Sequence, residues 1–478
     1  MKQREKKNRI ISVFGLGLVL LTGFLLLTAC GGRPVDVNGR LQVIGTQLCN
    51  AKGDPVQLKG MSFMDVAWFG DFANTSAFTW LRDQWDCSLI RAALYTVGDG
   101  RFRAMDEIDK METAVDTAIE TGLYVLIDWH ILYDGNPQKY KEQALSFFKQ
   151  MAERYKDSPN VLYEICNEPN GDDVTWEGAI RPYAVEVITA IRKIDPDNII
   201  IVGTPHWCQY VDLAAQDPLP YKNIMYTCHF YAGSHGSAER DRVRNALDKK
   251  LPVFITEWGT TEAEQTTGTG VFPVETYAWL DFINKKGLSW ANWSITIRKE
   301  PSAAMRYYAS PEGHWADSDL TESGLLVRAI MRGQEKDMVL FADSFESANF
   351  IPGGWSTNNV GIDRNSATQG EISAVLKNHG SLTKAFATQP FKNIRIRFSY
   401  KTKDMSADDS FRIEWFDGSS WTTLKNLSPS GGWTKTTVSF PEQANDNAQF
   451  QFRLVNDSKN NDAAVNLDEI SLIMDRKK

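Results

Sequence analysis

VLYEICNEP (Val161–Pro169) and VFITEWG (Val253–Gly259) are apolar, β-branched runs of strand length, and each presents a glutamate, Glu168 or Glu257, at its C-terminal end. A buried strand seldom ends in an acid for packing reasons, because an ionised carboxylate is expensive to desolvate. Six further strand-like runs lie between Val56 and Ile295: Val56–Phe63, Leu89–Leu94, Tyr124–His130, Ile199–Pro205, Ile224–Tyr231 and Leu288–Ile295. Most intervals between them carry helical periodicity, as in Met105–Thr121, Lys141–Tyr155, Trp176–Ile194 and Val274–Lys286, and Thr321–Gly333 supplies an eighth helix. Strands alternating with helices demand a parallel sheet, and eight such units close into a (β/α)8 TIM barrel, an α/β fold. A doubly wound open sheet accounts for the count less well, and the chain has no Gly-rich phosphate turn.

In such a barrel the reactive groups sit at the C-terminal ends of the strands. Arg91 lies in the second strand and Tyr95 just past it; Asp128-Trp129-His130 ends the third, Asn167-Glu168 the fourth, His229-Phe230-Tyr231 the sixth and Glu257 the seventh, while Trp290 and Trp293 lie on the eighth. Alone, His130 reads as a satisfied core histidine and Arg91 as a structural ion-pair partner. Their convergence on one rim carries the signal. Two carboxylates delivered from separate strands are what cleavage of a glycosidic bond needs, one to protonate the leaving oxygen and one to attack or support the anomeric carbon.

The chain from about Gly39 to Gly333 resembles glycoside hydrolase family 5, in its bacterial endo-β-1,4-glucanase (cellulase) branch. The runs that carry the resemblance are GMS at Gly60–Ser62, WFGDF, WLRDQW, RAALYT, VLIDWHILYDGNP, YEICNEPNG, PDNIIIVGT, HFYAGSHG, ITEWGT and SWANWSIT. The resemblance implies a retaining hydrolase of cellulose or related β-glucans that requires no cofactor and has no metal in the barrel, with Glu168 as acid/base and Glu257 as nucleophile. Arg91 and Tyr231 are similar to the groups that stabilise the ionised nucleophile, His229 to the partner of the acid/base, and Asn167 to the residue that reaches the sugar 2-hydroxyl. His130 is expected to hold the sugar at the cleavage point, Trp68, Tyr95 and Trp293 to stack on glucose, and Arg298 and Glu300 to meet more distant sugars. Retention predicts carboxyl groups about 5 Å apart. One segment departs from the family pattern S-H-G-L-Q-W: the chain reads Ser62-Phe63-Met64-Asp65-Val66-Ala67-Trp68, so Met64 and Ala67 replace a sugar-contacting His and a Gln. An intact mechanism with altered specificity or weaker activity on plain cellulose is expected. A β-mannanase or other β-glycanase is the alternative, and a non-catalytic surface glycan-binding lipoprotein the alternative outside enzymes.

The 478 residues carry a net charge of −8, which argues against nucleic acid or an anionic membrane surface as main partner. Met1–Arg9 is basic, Ile10–Ala29 apolar, and Leu27-Thr28-Ala29-Cys30-Gly31 resembles a bacterial lipoprotein cleavage site; a retained transmembrane anchor is the competing reading. The expected plan is a signal peptide over 1–29, lipid attachment at Cys30, a tether over 30–38, the barrel over 39–335 and an all-β, jelly-roll-like sandwich over 338–478, a possible carbohydrate-binding module. The protein would be a monomer, lipid-anchored at the cell envelope, at an outer membrane or cell surface, or else secreted. Cys49, Cys87, Cys166, Cys208 and Cys228 lack both disulfide and zinc spacing. From Met338 the pattern turns to short alternating segments separated by turn clusters. There Trp355, Trp415, Trp421 and Trp433 could form a glycan platform or fill a core, and Asp462, Asn466, Asp468 and Glu469 could hold a structural calcium or line a solvated loop.

Overall fold

The computed structural model describes residues 32–478 apart from 99, 265–269 and 407. The signal segment and Cys30 lie outside the described residues. Eight parallel strands close into the expected barrel: β1 (Lys59–Phe63), β2 (Leu89–Tyr95), β3 (Tyr124–His130), β4 (Val161–Glu164), β5 (Ile200–Val202), β6 (Ile224–Tyr231), β7 (Val253–Gly259) and β8 (Trp290–Ile295), with β8 pairing β1 and β5 pairing β6. Every residue of β2, β3, β6, β7 and β8 is buried, as strands must be when helices cover one face and the barrel interior the other. The helices that follow the strands are α1 (Thr75–Trp85), α2 (Ile108–Thr121), α3 (Lys141–Tyr155), α4 (Arg181–Arg192), the short α5 (Val211–Ala214), α6 (Ser237–Asp248), α7 (Pro273–Lys286) and α8 (Glu322–Met331). Their starts are legible in local chemistry: Asn74 caps α1 by accepting from the Ala77 amide, Pro273 opens α7, and Thr321 caps α8 by accepting from Gly324. A hairpin, Gln42–Ile44 with Gln47–Cys49, supplies Leu48, which with Leu41 packs on Leu89, Leu126, Leu162 and Phe254 to plug the N-terminal end of the barrel. The opposite end stays open, and the site is built there.

The fourth strand corrects the sequence reading. Its ladder stops at Glu164, so Glu168 lies four residues beyond the strand rather than at its end. The chain turns toward β3, with the amides of Asn167 and Glu168 donating to the carbonyls of Trp129 and Ile131. Gly203, just past β5, makes room for this turn: a Cβ there would meet the Cys166 carbonyl at 2.2 Å.

From residue 338 the chain is antiparallel β: β9 (Met338–Asp343), β10 (Trp355–Asp363), β11 (Ser373–Ala385), β12 (Phe391–Lys403), β13 (Ser410–Phe416), β14 (Trp421–Leu427), β15 (Thr434–Ser439), β16 (Gln451–Asp457) and β17 (Ala464–Arg476). Strand β11 changes partner midway. Ala374–Leu376 pair with β17, whereas Gly380–Ala385 pair with β16. The change falls at His379, whose φ is 54°, and Gly380, where a Cβ would meet the Lys377 carbonyl at 2.6 Å. The core of this domain takes in Tyr277 of α7 and Leu326 and Ala329 of α8, so the barrel and the β domain share apolar packing rather than hanging on a linker. Buried Lys384 adds an ion pair to Glu322 at 2.9 Å, and Arg306 donates to the Ala342 carbonyl at 2.7 Å.

The structure gives the surroundings of two sets of candidate residues in this domain. Trp355 and Trp415 are core residues, Trp355 donating to Asp343 at 2.8 Å, and Trp421 is half-buried beneath the Arg453 guanidinium, 4.2 Å from its ring centre. Trp433 is also half-buried, so two of the four tryptophans lie in the core and two are partly exposed. Three of the four calcium candidates have partners within the protein. Asp468 accepts from the amides of Thr368 and Gln369, Glu469 accepts from Ser399 and Lys435, Asn466 donates to Asp363, and Asp462 stands exposed in a turn. Among the described residues the one group of three or more His, Cys, Asp or Glu that converges on a point is in the barrel.

Candidate active site

Arg91, on β2 and fully buried, organises the barrel mouth. Its Nε donates to Glu164 at 2.7 Å; Nη1 donates to Glu257 at 3.0 Å and Ser62 at 3.3 Å; Nη2 donates to Asn167 at 2.5 Å and reaches Asp128 at 2.9 Å. Four hydrogen bonds and one further ion pair thus surround the guanidinium with acceptors, the arrangement a buried cation requires. Burial alone would lower its pKa, but the surrounding carboxylates raise it instead, so the charge is permanent.

Glu257, on β7, is held from both sides: Arg91 binds one oxygen and the Tyr231 hydroxyl donates to the other at 2.8 Å. Burial, and then the charge of Glu257, push the Tyr231 phenol well above its ordinary range, so it remains a donor. Gly259 permits this contact. A Cβ there would sit 2.3 Å from the Tyr231 ring.

Glu168 faces Glu257 from the β4 turn and is bonded to His229 Nδ1 at 2.8 Å. His229 Nε2 lies 2.9 Å from Thr256, whose hydroxyl donates to Glu164 at 2.6 Å. Burial works against charging His229, yet its bonds to Glu164 and Glu168 and the charge of Glu257 outweigh it and lift the imidazole to about 9. Burial likewise works against an ionised Glu164, but Arg91 and His229 hold it down at about 2. Glu164 and Thr256 were absent from the sequence reading. Their only sequence signal is a charged and a hydroxyl residue inside otherwise apolar strand runs.

Asn167 is oriented by Arg91, which takes its carbonyl oxygen; its amide then faces His130 Nε2 at 3.2 Å and the Ile131 carbonyl at 3.0 Å. That leaves the proton of a neutral His130 on Nδ1, donated to Asp128 at 2.7 Å. Burial, then the charge of Arg91, lower His130 to about 3. Both amide hydrogens of Asn167 are therefore committed within the protein, and contact with a sugar hydroxyl would require one of these bonds to open.

A cleft of about 660 Å³ lies over these groups, lined by Met64, Tyr95, His130, Trp293, Arg298 and Glu300 together with both glutamates. Trp293 stacks parallel to His130, ring centres 5.3 Å apart. Tyr95 is packed between partners already, 4.1 Å from His130 and 5.9 Å from Trp68, so it braces the wall more than it offers a free ring. Trp68 is 47% exposed and stands beside the cleft, fixed by the Arg103 guanidinium 4.7 Å from its ring centre, which in turn pairs with buried Asp65. Met64 fills the position of the missing histidine, and its sulfur takes weak contacts from Thr296 at 3.9 Å and Arg298 at 3.8 Å. Burial raises the Glu300 carboxyl, which Arg298 and the Trp293 indole partly offset. Trp207 and Tyr133, passed over in the sequence, also line the mouth and are 40% and 78% exposed. Trp207 sits in a run of three left-handed residues, His206, Trp207 and Cys208 at φ 62°, 53° and 60°, a backbone that non-glycine residues adopt only when fixed by their surroundings. The Cys208 thiol, bonded to the Asn167 carbonyl at 2.8 Å, is one such fixture.

A carboxylate oxygen of Glu168, one of Glu257 and a nitrogen of His229 all lie within 4.8 Å of one another. Three such donors could hold a metal ion, but the Arg91 cation bound to Glu257 and a charged His229 oppose a further positive charge.

The family model for cellulase, glycosyl hydrolase family 5, matches residues 49–299. An endoglucanase of Clostridium saccharobutylicum is 48% identical over 308 residues, 64% of this chain and 68% of that protein. Endoglucanase N of Pectobacterium atrosepticum is 44% identical over 329 residues, 68% of this chain and 73% of its own. Among solved structures, the catalytic domain of alkaline cellulase K is 34% identical with a TM-score of 0.59, covering 63% of this chain and 96% of that one. The Thermobifida fusca endoglucanase Cel5A catalytic domain is 35% identical with a TM-score of 0.59, covering 63% and 100%. The family match ends before the β domain begins. With more than half of its length matched by the family model, the chain belongs to glycosyl hydrolase family 5, the cellulase family.

Proposed function

We propose that the protein is an endo-acting, retaining β-1,4-glucanase in which Glu257 is the nucleophile and Glu168 the acid/base. The observation that carries this is the short reach between the two carboxylates, one oxygen of each within 4.8 Å of the other, combined with their unlike surroundings. Retaining enzymes place the pair about 5–5.5 Å apart, whereas inverting enzymes leave roughly 6.5–9.5 Å for a water. Glu257 accepts from Arg91 and Tyr231, which favours the ionised form a nucleophile needs. Its attack on the anomeric carbon forms a glycosyl ester as Glu168 gives its proton to the departing oxygen. The His229 imidazolium then faces the new Glu168 carboxylate, which next takes a proton from the water that hydrolyses the ester. These carboxylates complete the reaction without a cofactor.

The substrate reading rests on the endoglucanase relatives and on the aromatic and polar lining of the cleft. Met64 in place of a polar residue favours soluble mixed-linkage or decorated glucans over plain cellulose. Hydrolysis rates on barley β-glucan, carboxymethylcellulose, glucomannan and xyloglucan test this. Equal rates on all cellulosic substrates would refute the preference, and dominance of mannan would favour a β-mannanase. For the cell, the reading is a monomeric lipoprotein processed before Cys30 and held at the envelope. Cys30→Ala should then release it from membranes, as read by fractionation. Among the described residues no helix is long and apolar enough to cross a membrane.

A further inference from the structure

The wall formed by Arg298, Lys299 and Glu300 is shared. One side closes the catalytic cleft and the other closes a second groove of about 550 Å³. The far wall of that groove comes from Tyr307 on the barrel and from Asn349, Ile351 and Pro352, in the loop between β9 and β10 of the β domain. Tyr307 and Ile351 are 54% and 75% exposed. They belong to a set of eight large apolar side chains left exposed among the described residues, and Trp68, Tyr133 and Trp207 of that set stand in or beside the catalytic cleft. Five of the eight stand in or beside these two adjoining grooves, a pattern rather than the scatter normal for single exposed apolar residues.

The loop is also held in place. The Tyr307 hydroxyl donates to the Ser347 carbonyl at 3.2 Å, and the Tyr307 ring meets Tyr308 edge-on at 5.1 Å. Nearby, the Ser347 hydroxyl donates to the Asn349 carbonyl at 2.7 Å. An exposed tyrosine face fixed beside Arg298, Glu300 and Asn349 combines an apolar surface with hydrogen-bonding groups at its edge. A pyranose ring has the complementary chemistry, with C–H faces and a girdle of hydroxyls.

We propose that this groove is a distal glucan subsite, so that the β domain extends the substrate track of the barrel instead of acting as a separate binding module. The proposal rests on the reading of the first cleft as glucan-binding. Its occupant is the continuation of the same β-glucan chain, because the two grooves share one wall.

The test uses the full chain with Tyr307→Ala, Ile351→Ser and Tyr307→Phe. For each, kcat/KM is measured on carboxymethylcellulose and on an aryl cellobioside too short to reach the groove. The ratio of long to short substrate should fall about tenfold in Tyr307→Ala, the effect of one central contact. It should fall less in Ile351→Ser and be restored in Tyr307→Phe, which keeps the ring and loses only the tether to Ser347. An unchanged ratio in Tyr307→Ala overturns the proposal. So does an equal fall on both substrates with Tyr307→Phe as impaired as Tyr307→Ala, since that marks a structural role. Failure of the underlying assignment would appear separately, as activity on the short substrate that survives Glu257→Gln.

Discussion

The centre of the barrel mouth and its rim at Phe63–Trp68 are built on opposite terms. At the centre each polar group is specified by another: Arg91 has five partners, Glu257 two donors, and Asn167 fixes the tautomer of His130. At the rim the contacts are soft, a thioether at 3.8–3.9 Å from Arg298 and Thr296, and an exposed Trp68 steadied by Arg103. Bond cleavage needs charges placed before substrate arrives, and a buried network supplies that preorganisation. Grip on a polysaccharide tolerates exchange of side chains. The difference teaches that chemistry and specificity can vary separately in this protein.

Breaking the centre should have the largest effect. Glu257→Gln removes the attacking oxygen, and kcat should fall by about 10⁴-fold or more with little change in fold, read by steady-state kinetics and circular dichroism. Arg91→Lys keeps a charge but loses the fork. It should cost about 3–5 kcal/mol, because a buried cluster of carboxylates is left partly unpaired, and a denaturant titration would read this as a lower midpoint.

A pH profile sharpens the same comparison. His229 is raised from 6.5 to about 9, so the stability it adds is complete below about 6.5 and is lost as pH rises through about 9. Wild type should lose roughly 3 kcal/mol over that window, the size of such a shift, with activity declining on the same limb. His229→Asn should flatten the stability profile; an unaltered alkaline limb would place the titrating group elsewhere. The rim should respond least. Met64→His restores a polar contact, so KM on plain cellulosic chains should fall by about three- to tenfold at nearly constant kcat, about 1 kcal/mol of binding. A change in kcat instead would mean that rim and centre are coupled.

Much of this was legible in the chain. Strands β3, β6 and β7 match their sequence runs end to end, because a buried parallel strand must be continuously apolar and its neighbours are helices with a clear period. The two glutamates proposed as catalytic, Glu168 and Glu257, stand out as acids at the ends of such runs. Glu164 did not, since an acid within a strand reads the same whether it is paired or misplaced, and only Arg91, distant in sequence, explains it. Its apolar run outlasts the strand for a related reason: β5 is three residues long and the chain turns at Gly203, a tertiary effect. In the β domain, Trp355–Asp363, Ser373–Ala385 and Trp421–Leu427 are strands with little sequence signal. They carry Asn, Gly, Ser and Lys on exposed faces, and β14 lies at the edge of the sheet, where half-solvated positions blur alternation. Burial of Trp355 and Trp415 is a fact of packing that composition could not decide.

The central claim is that Glu168 and Glu257 act at retaining distance. Proton NMR of the anomeric signals during the first minutes of β-glucan hydrolysis, before mutarotation, tests it directly. New reducing ends should appear first as the β-anomer and drift toward equilibrium; initial release of the α-anomer would contradict the account.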